Sequence, residues 1–190
     1  MNTKSLMLTM AMSCAFAGNV AALTKEEYKT QKTQISTEYK TNRDKCASLT
    51  ANGKDICVAE AKGMEKVAKA ELEAQYEPSS KHTRNVAMTK ADATYDVAKE
   101  KCDDLSGNAK DVCVKDAKVV RVKAKEDAKV AQVVADPSKN SAAKVNDVKM
   151  NAAEEKREAT YKAAKARCDS LAGNAKDACQ TEAKNKYDSK

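Results

Sequence analysis

The sequence predicts an all-α protein of three disulfide-stapled α-hairpin repeats, forming an elongated or loosely packed helical bundle. Three observations carry that prediction. Cysteines recur in pairs at one fixed spacing, small apolar residues recur every three or four positions around them, and the only two prolines fall between the repeats. Alanine- and lysine-rich stretches with that period form amphipathic helices with a narrow apolar stripe.

The first element is residues 1–22, read as a secretory signal peptide. Lys4 supplies a positive start, Leu6 to Ala17 is apolar, and Val20, Ala21 and Ala22 offer small residues for cleavage after Ala22. The apolar run is too short to span a bilayer, and no later stretch is long and apolar enough to do so. Removing this segment takes away Lys4, Cys14 and Phe16, so the net charge falls from +7 to +6 and six cysteines remain.

Those six form three local pairs, Cys46/Cys57, Cys102/Cys113 and Cys168/Cys179, in "CASLTANGKDIC", "CDDLSGNAKDVC" and "CDSLAGNAKDAC". Six cysteines admit fifteen connectivities. The repeated spacing favours the local one. The repeats divide the chain into hairpins at 23–77, 78–136 and 137–190, with "EPSSK" and "DPSKN" as the joints.

In the first hairpin, Tyr28, Ile35, Tyr39 and Cys46 share a helical face, followed after the turn by Cys57, Ala61, Met64 and Ala68. In the second, Met88, Ala91, Tyr95, Ala98, Cys102 and Leu105 define a face whose remainder is expected to meet water. Cys113, Ala117, Val120 and Ala124 continue it on a helix of about 28 residues, estimated from its apolar period. In the third, Tyr161 keeps its place seven residues before Cys168, while Arg157 stands where Ala91 stood. The three tyrosines are expected to be the largest core side chains.

Gly107 and Gly173 suit a left-handed residue at the turn, and Asn108 and Asn174 are read as N-caps, with Asp111 and Asp177 favouring the helix N-terminus. In the first repeat the glycine is displaced to Gly53, so a different turn is expected there.

After residue 22 the chain has no Phe or Trp and few Leu or Ile, so alanine and valine must fill the core. At ~25 cal/mol per Å² of apolar surface, such side chains stabilise little. A disulfide closing so short a loop contributes about 2–4 kcal/mol. The disulfides therefore stand in for a core, and their use fits an oxidising compartment.

No catalytic constellation is expected. His82 is the only histidine and reads as a solvated surface residue, C-x-x-C is absent, and the carboxylates are scattered among lysines. Catalytic residues, metal ligands and cofactors are all read as none. The basic excess offers one candidate site: Arg43, Lys45, Lys99, Lys101, Lys165 and Arg167 precede the first cysteines and form a candidate stripe for an anionic ligand, with Asp44 and Glu100 inside it.

The "C-D-x-L-x-G-N-A-K-D-x-C" segments at Cys102–Cys113 and Cys168–Cys179, with a variant copy at Cys46–Cys57, resemble those of a loose group of exported Ala/Lys-rich proteins of Gram-negative bacteria with C-x10-C hairpins. The helices are also similar in composition to the helical stalk of the Tol envelope-spanning protein. These resemblances imply a periplasmic setting and bring no functional residues with them.

The expected function is that of a non-enzymatic structural or interaction scaffold in the cell envelope, in envelope maintenance or stress. The alternative is a binder of lipopolysaccharide or nucleic acid, and a weaker one is a thiol redox or metal-handling protein. Expected partners are envelope proteins or anionic envelope polymers, and the Ala/Val seams also suit self-association.

Overall fold

A computed structural model describes residues 23–187; the signal-peptide reading falls on residues 1–22, outside them. Six α-helices cover this span: α1 Lys25–Lys45, α2 Ala51–Tyr76, α3 Ser80–Cys102, α4 Gly107–Ala135, α5 Ala142–Arg167 and α6 Gly173–Tyr187. Among the described residues no helix is long and apolar enough to cross a membrane.

Local chemistry sets the helix limits. Thr24 and Glu27 form a reciprocal capping box, with Thr24 N–H donating to Glu27 Oε2 at 2.8 Å and Glu27 N–H to Thr24 Oγ1 at 3.2 Å. Ser79 caps α3 by accepting from His82 N–H at 3.1 Å. α2 and α4 stop at Glu77 and Asp136, each followed by proline, which disfavours helical backbone in the residue before it. α4 runs for 29 residues, close to the length its period predicts.

Successive helices are antiparallel, and every pair in sustained contact is a pair of chain neighbours. The molecule is thus a single layer of helices. The disulfide turns lie along one edge of the layer and the proline joints along the other. The joints do not separate independent hairpins. α2 packs on α3, and α4 on α5, at least as extensively as the two helices within any hairpin.

The core is made of alanines and sulfur. The three fully buried larger side chains are Cys46, Cys102 and Cys168, while Leu72 is the one buried leucine among the described residues. Tyr39, Tyr95 and Tyr161 are only half-buried, which corrects the expectation that they are the largest core residues. A single layer has no second layer to cover a ring.

The one-face expectation for α3 is also corrected, because this helix is packed on two sides. Ala91 and Tyr95 face α4, whereas Ala93 faces Gly63 of α2 so closely that a Cβ on Gly63 would lie 3.0 Å from that of Ala93. Met64 and Val120, expected on the packed faces, are instead 55% and 57% exposed and line shallow apolar grooves on the side of the layer bearing Lys90, Thr94 and Ala98. Asp92, Asp96 and Lys99 lie on the opposite side of α3, where most residues lining the grooves are polar or charged.

Ion pairs bind neighbouring helices. Asp92 of α3 accepts from Arg121 Nε at 2.5 Å and from Lys125 Nζ at 3.0 Å, both on α4. Partial burial raises the Asp92 carboxyl, but the hydrogen bonds from Lys125 and Arg121 and their charges outweigh it, holding the group below its ordinary 3.8. A depressed folded-state value means a contribution present above the unfolded value and lost as pH falls through the folded one. Asp92→Asn should therefore reduce stability near neutral pH, and its deficit relative to wild type should shrink as pH falls below 3.8. Urea unfolding of both proteins across that range checks this; a deficit independent of pH would contradict it.

Candidate functional site

The repeated cysteines place three equivalent turns side by side. In each, the first α-helix ends at the first cysteine or one residue before it, and the next begins five residues after that cysteine. The three local disulfides form with Cα–Cα distances of 5.6, 5.7 and 5.7 Å, well within disulfide reach.

The residue opening the second helix is left-handed in every repeat: Ala51 at φ 47°, Gly107 at 55° and Gly173 at 53°. The first turn therefore has the same backbone as the others despite its displaced glycine, with alanine holding the strained position. A left-handed L-residue costs about 1–2 kcal/mol. Ala51→Gly should accordingly stabilise the protein by about 1 kcal/mol, and Gly107→Ala should cost about as much. Thermal unfolding of the two variants measures both; a destabilising Ala51→Gly would contradict the shared turn.

The asparagines after these positions are not N-caps, since Thr50 and Ser106 occupy the N-cap positions of α2 and α4. Asn52 instead donates its amide to the Glu100 carbonyl at 2.8 Å, tying the first turn to the end of α3.

Since α1, α3 and α5 run in the same direction, their last turns bring Arg43, Lys45, Lys99, Lys101, Lys165 and Arg167 to one edge, all exposed. Basic side chains there complement the negative ends of the helix dipoles. Half of the stripe is also engaged in polar contacts. Lys101 pairs with Glu60 of α2 at 3.7 Å, and Arg167 pairs with Asp116 of α4 at 2.5 Å. These contacts are equivalent: the base before a first cysteine reaches the acid three residues after the preceding hairpin's second cysteine. Lys45, with no preceding hairpin, donates to Asn42 at 3.4 Å. Arg43, Lys99 and Lys165 have no acidic partner within salt-bridge distance among the described residues.

Acids balance this edge. Lys110 pairs with Asp103 and Lys176 with Asp169, each at 3.0 Å, bracketing the second and third turns. Over 43–55, 99–111 and 165–177 there are nine basic and eight acidic residues. Such a balance leaves little net field.

The feature that sequence reasoning missed is apolar. Leu49, Leu105 and Leu171 occupy the same place in the three turns and are 44%, 45% and 42% exposed. Each donates its backbone N–H to the carbonyl of the first cysteine, at 3.1, 3.0 and 3.1 Å. Leu105, expected on the packed stripe, is thus a surface residue. The signal was present in the repeat itself: a leucine recurs three residues after each first cysteine, in a chain with few leucines to spare.

At the opposite edge, the Tyr28 hydroxyl donates to Glu73 Oε2 at 2.7 Å, and the Tyr28 and Tyr76 rings lie 4.5 Å apart. The hydrogen bond to Glu73 pushes the Tyr28 phenol above its ordinary value. His82, expected to be a solvated surface residue, is half-buried. It stands beside Glu73 and Glu77 with ligand atoms of all three within 4.8 Å of one another, and its Nδ1 lies 2.5 Å from the Glu77 carbonyl. That carbonyl can only accept, so Nδ1 donates the proton of this contact. Lys81 and Arg84 line the same depression and oppose a cation there. Compared with known protein families, curated proteins and solved structures, the chain finds no match.

Proposed function

We propose that this chain is an exported, periplasmic, non-enzymatic scaffold of the cell envelope that engages its partner through the edge formed by the three disulfide turns. The observation that carries this reading is the row of exposed leucines, Leu49, Leu105 and Leu171, placed alike by three stapled repeats. An exposed apolar side chain is ordinary when single. Its repetition on a rigid edge supplies spaced anchor points for a partner. The three disulfides fit an oxidising compartment.

The test is complementation of a deletion strain scored for sensitivity to detergent and to envelope stress. The wild-type chain should restore resistance. The triple variant Leu49→Ser/Leu105→Ser/Leu171→Ser should fold with unchanged helicity and fail to restore it. A deletion strain with an intact envelope, or full rescue by the folded triple variant, would sink the proposal.

The convergence of Arg43, Lys99 and Lys165 on that edge favours a second reading, binding of an anionic envelope polymer or nucleic acid. It predicts measurable binding of lipopolysaccharide at low salt that weakens as salt rises and is abolished in Arg43→Ala/Lys99→Ala/Lys165→Ala. Absence of binding at low salt would eliminate it.

A further inference from the structure

The three disulfides close identical loops, but they hold unequal helices. α3 and α4 are each flanked on both sides and share the Asp92–Arg121–Lys125 contact. Among the described residues α1 is flanked on one side only, yet Tyr28 fastens its far end to Glu73 and Tyr76 of α2. α6 has neither form of support. Among the described residues it packs only on α5 and the turn that follows it, and Ala183 is its one buried residue. Among the described residues no side-chain hydrogen bond or ion pair joins it to α5; its nearest such contact is Lys176–Asp169, within the turn. At 15 residues, a helix this length is marginal by itself in water.

We infer that the Cys168–Cys179 disulfide is a redox latch: its reduction releases α6 from the edge of the layer while α1 to α5 stay folded. Cys168 is fully buried and Cys179 is half-buried, so an incoming thiolate reaches Cys179. The reductant is a dithiol whose two thiols can close into an intramolecular disulfide. One of its thiolates attacks Cys179 Sγ, forming a mixed disulfide and expelling the Cys168 thiolate, which takes up a proton. The second thiol of the reductant then displaces Cys179, so the reductant leaves as its own disulfide and the protein gains two electrons and two protons. Release uncovers the face of α5 that carries Tyr161, the counterpart of the α3 face that packs on α4. The inference rests on the fold, and failure of the scaffold reading leaves it standing.

Hydrogen exchange by mass spectrometry on the chain from residue 23 tests it, with Cys168→Ala/Cys179→Ala and Cys102→Ala/Cys113→Ala compared with wild type. In the first variant, amides of α6 should exchange about 100-fold faster, the factor that closing so short a loop supplies, while α1 to α5 keep wild-type protection. In the second, no single helix should be released. Wild-type protein titrated with dithiothreitol should lose α6 protection before that of α3 or α4. Retained protection of α6 in the first variant, or its loss together with protection throughout the chain, would overturn the latch.

Discussion

Replacing Cys102 and Cys113 together with alanine should lower the free energy of unfolding by about 3 kcal/mol, the value for a closed loop of this length. This is the first of the two largest effects expected. The middle hairpin sits at the centre of the layer, so opening it disrupts α2/α3 and α4/α5 packing as well as its own. No large apolar side chain stands ready to compensate, since the buried apolar residues of α3 and α4 besides Cys102 are Ala91, Ala93, Val119 and Ala128. Typical domains have only 5–15 kcal/mol in hand. A protein with a core this thin should lie near the lower end, so the variant should begin to unfold near body temperature. Urea and thermal unfolding followed by helicity give the value. A change below about 1 kcal/mol would mean that helix packing alone stabilises the layer.

The second is Gly63→Leu. α2 and α3 approach closely at Gly63, where even one added carbon would meet the Ala93 Cβ at 3.0 Å. A leucine there must push the helices apart, and overpacking of this kind typically costs about 1–3 kcal/mol. The upper end is expected, because separating α2 from α3 also strains Lys90–Glu71, Lys101–Glu60 and the Asn52 bond to Glu100. Gly63→Ala is the control. Its gain in helix propensity, about 1 kcal/mol, opposes the tight contact, so its effect should be small. Ala93→Gly should recover part of the Gly63→Leu loss, a coupling that only touching residues show. Additive effects would place the two residues apart and contradict the packing.

Much of this architecture was legible in the sequence, because the elements that define it are local. The fixed cysteine spacing gives the hairpin turns, the Glu77–Pro78 and Asp136–Pro137 steps give the joints, and the Ala/Val period gives the length of α4. Side-to-side packing was not legible. Ala93 sits among Asp92, Thr94 and Asp96, so its local pattern reads as a solvated face; only the arrival of Gly63 from another helix makes it core. The same limit applies to Ala51, whose left-handed backbone is imposed by the turn geometry it shares with two glycines.

The candidate edge was read in part. The basic positions were visible by their repetition, but not the commitment of Lys101 and Arg167 to Glu60 and Asp116 on preceding helices. The turn leucines were overlooked because a leucine at helical spacing reads as core. In a single layer the end of a stripe protrudes past its partner, and the residue there meets solvent.

Three local disulfides hold this architecture together. Non-reducing peptide mapping, with a free-thiol count, on protein recovered from its native compartment tests them directly. Three cross-linked peptide pairs are expected, Cys46–Cys57, Cys102–Cys113 and Cys168–Cys179, with the first two fully oxidised and free thiol, where present, confined to the third. A bond joining two different hairpins, or free thiol at Cys102 and Cys113, would contradict this pairing.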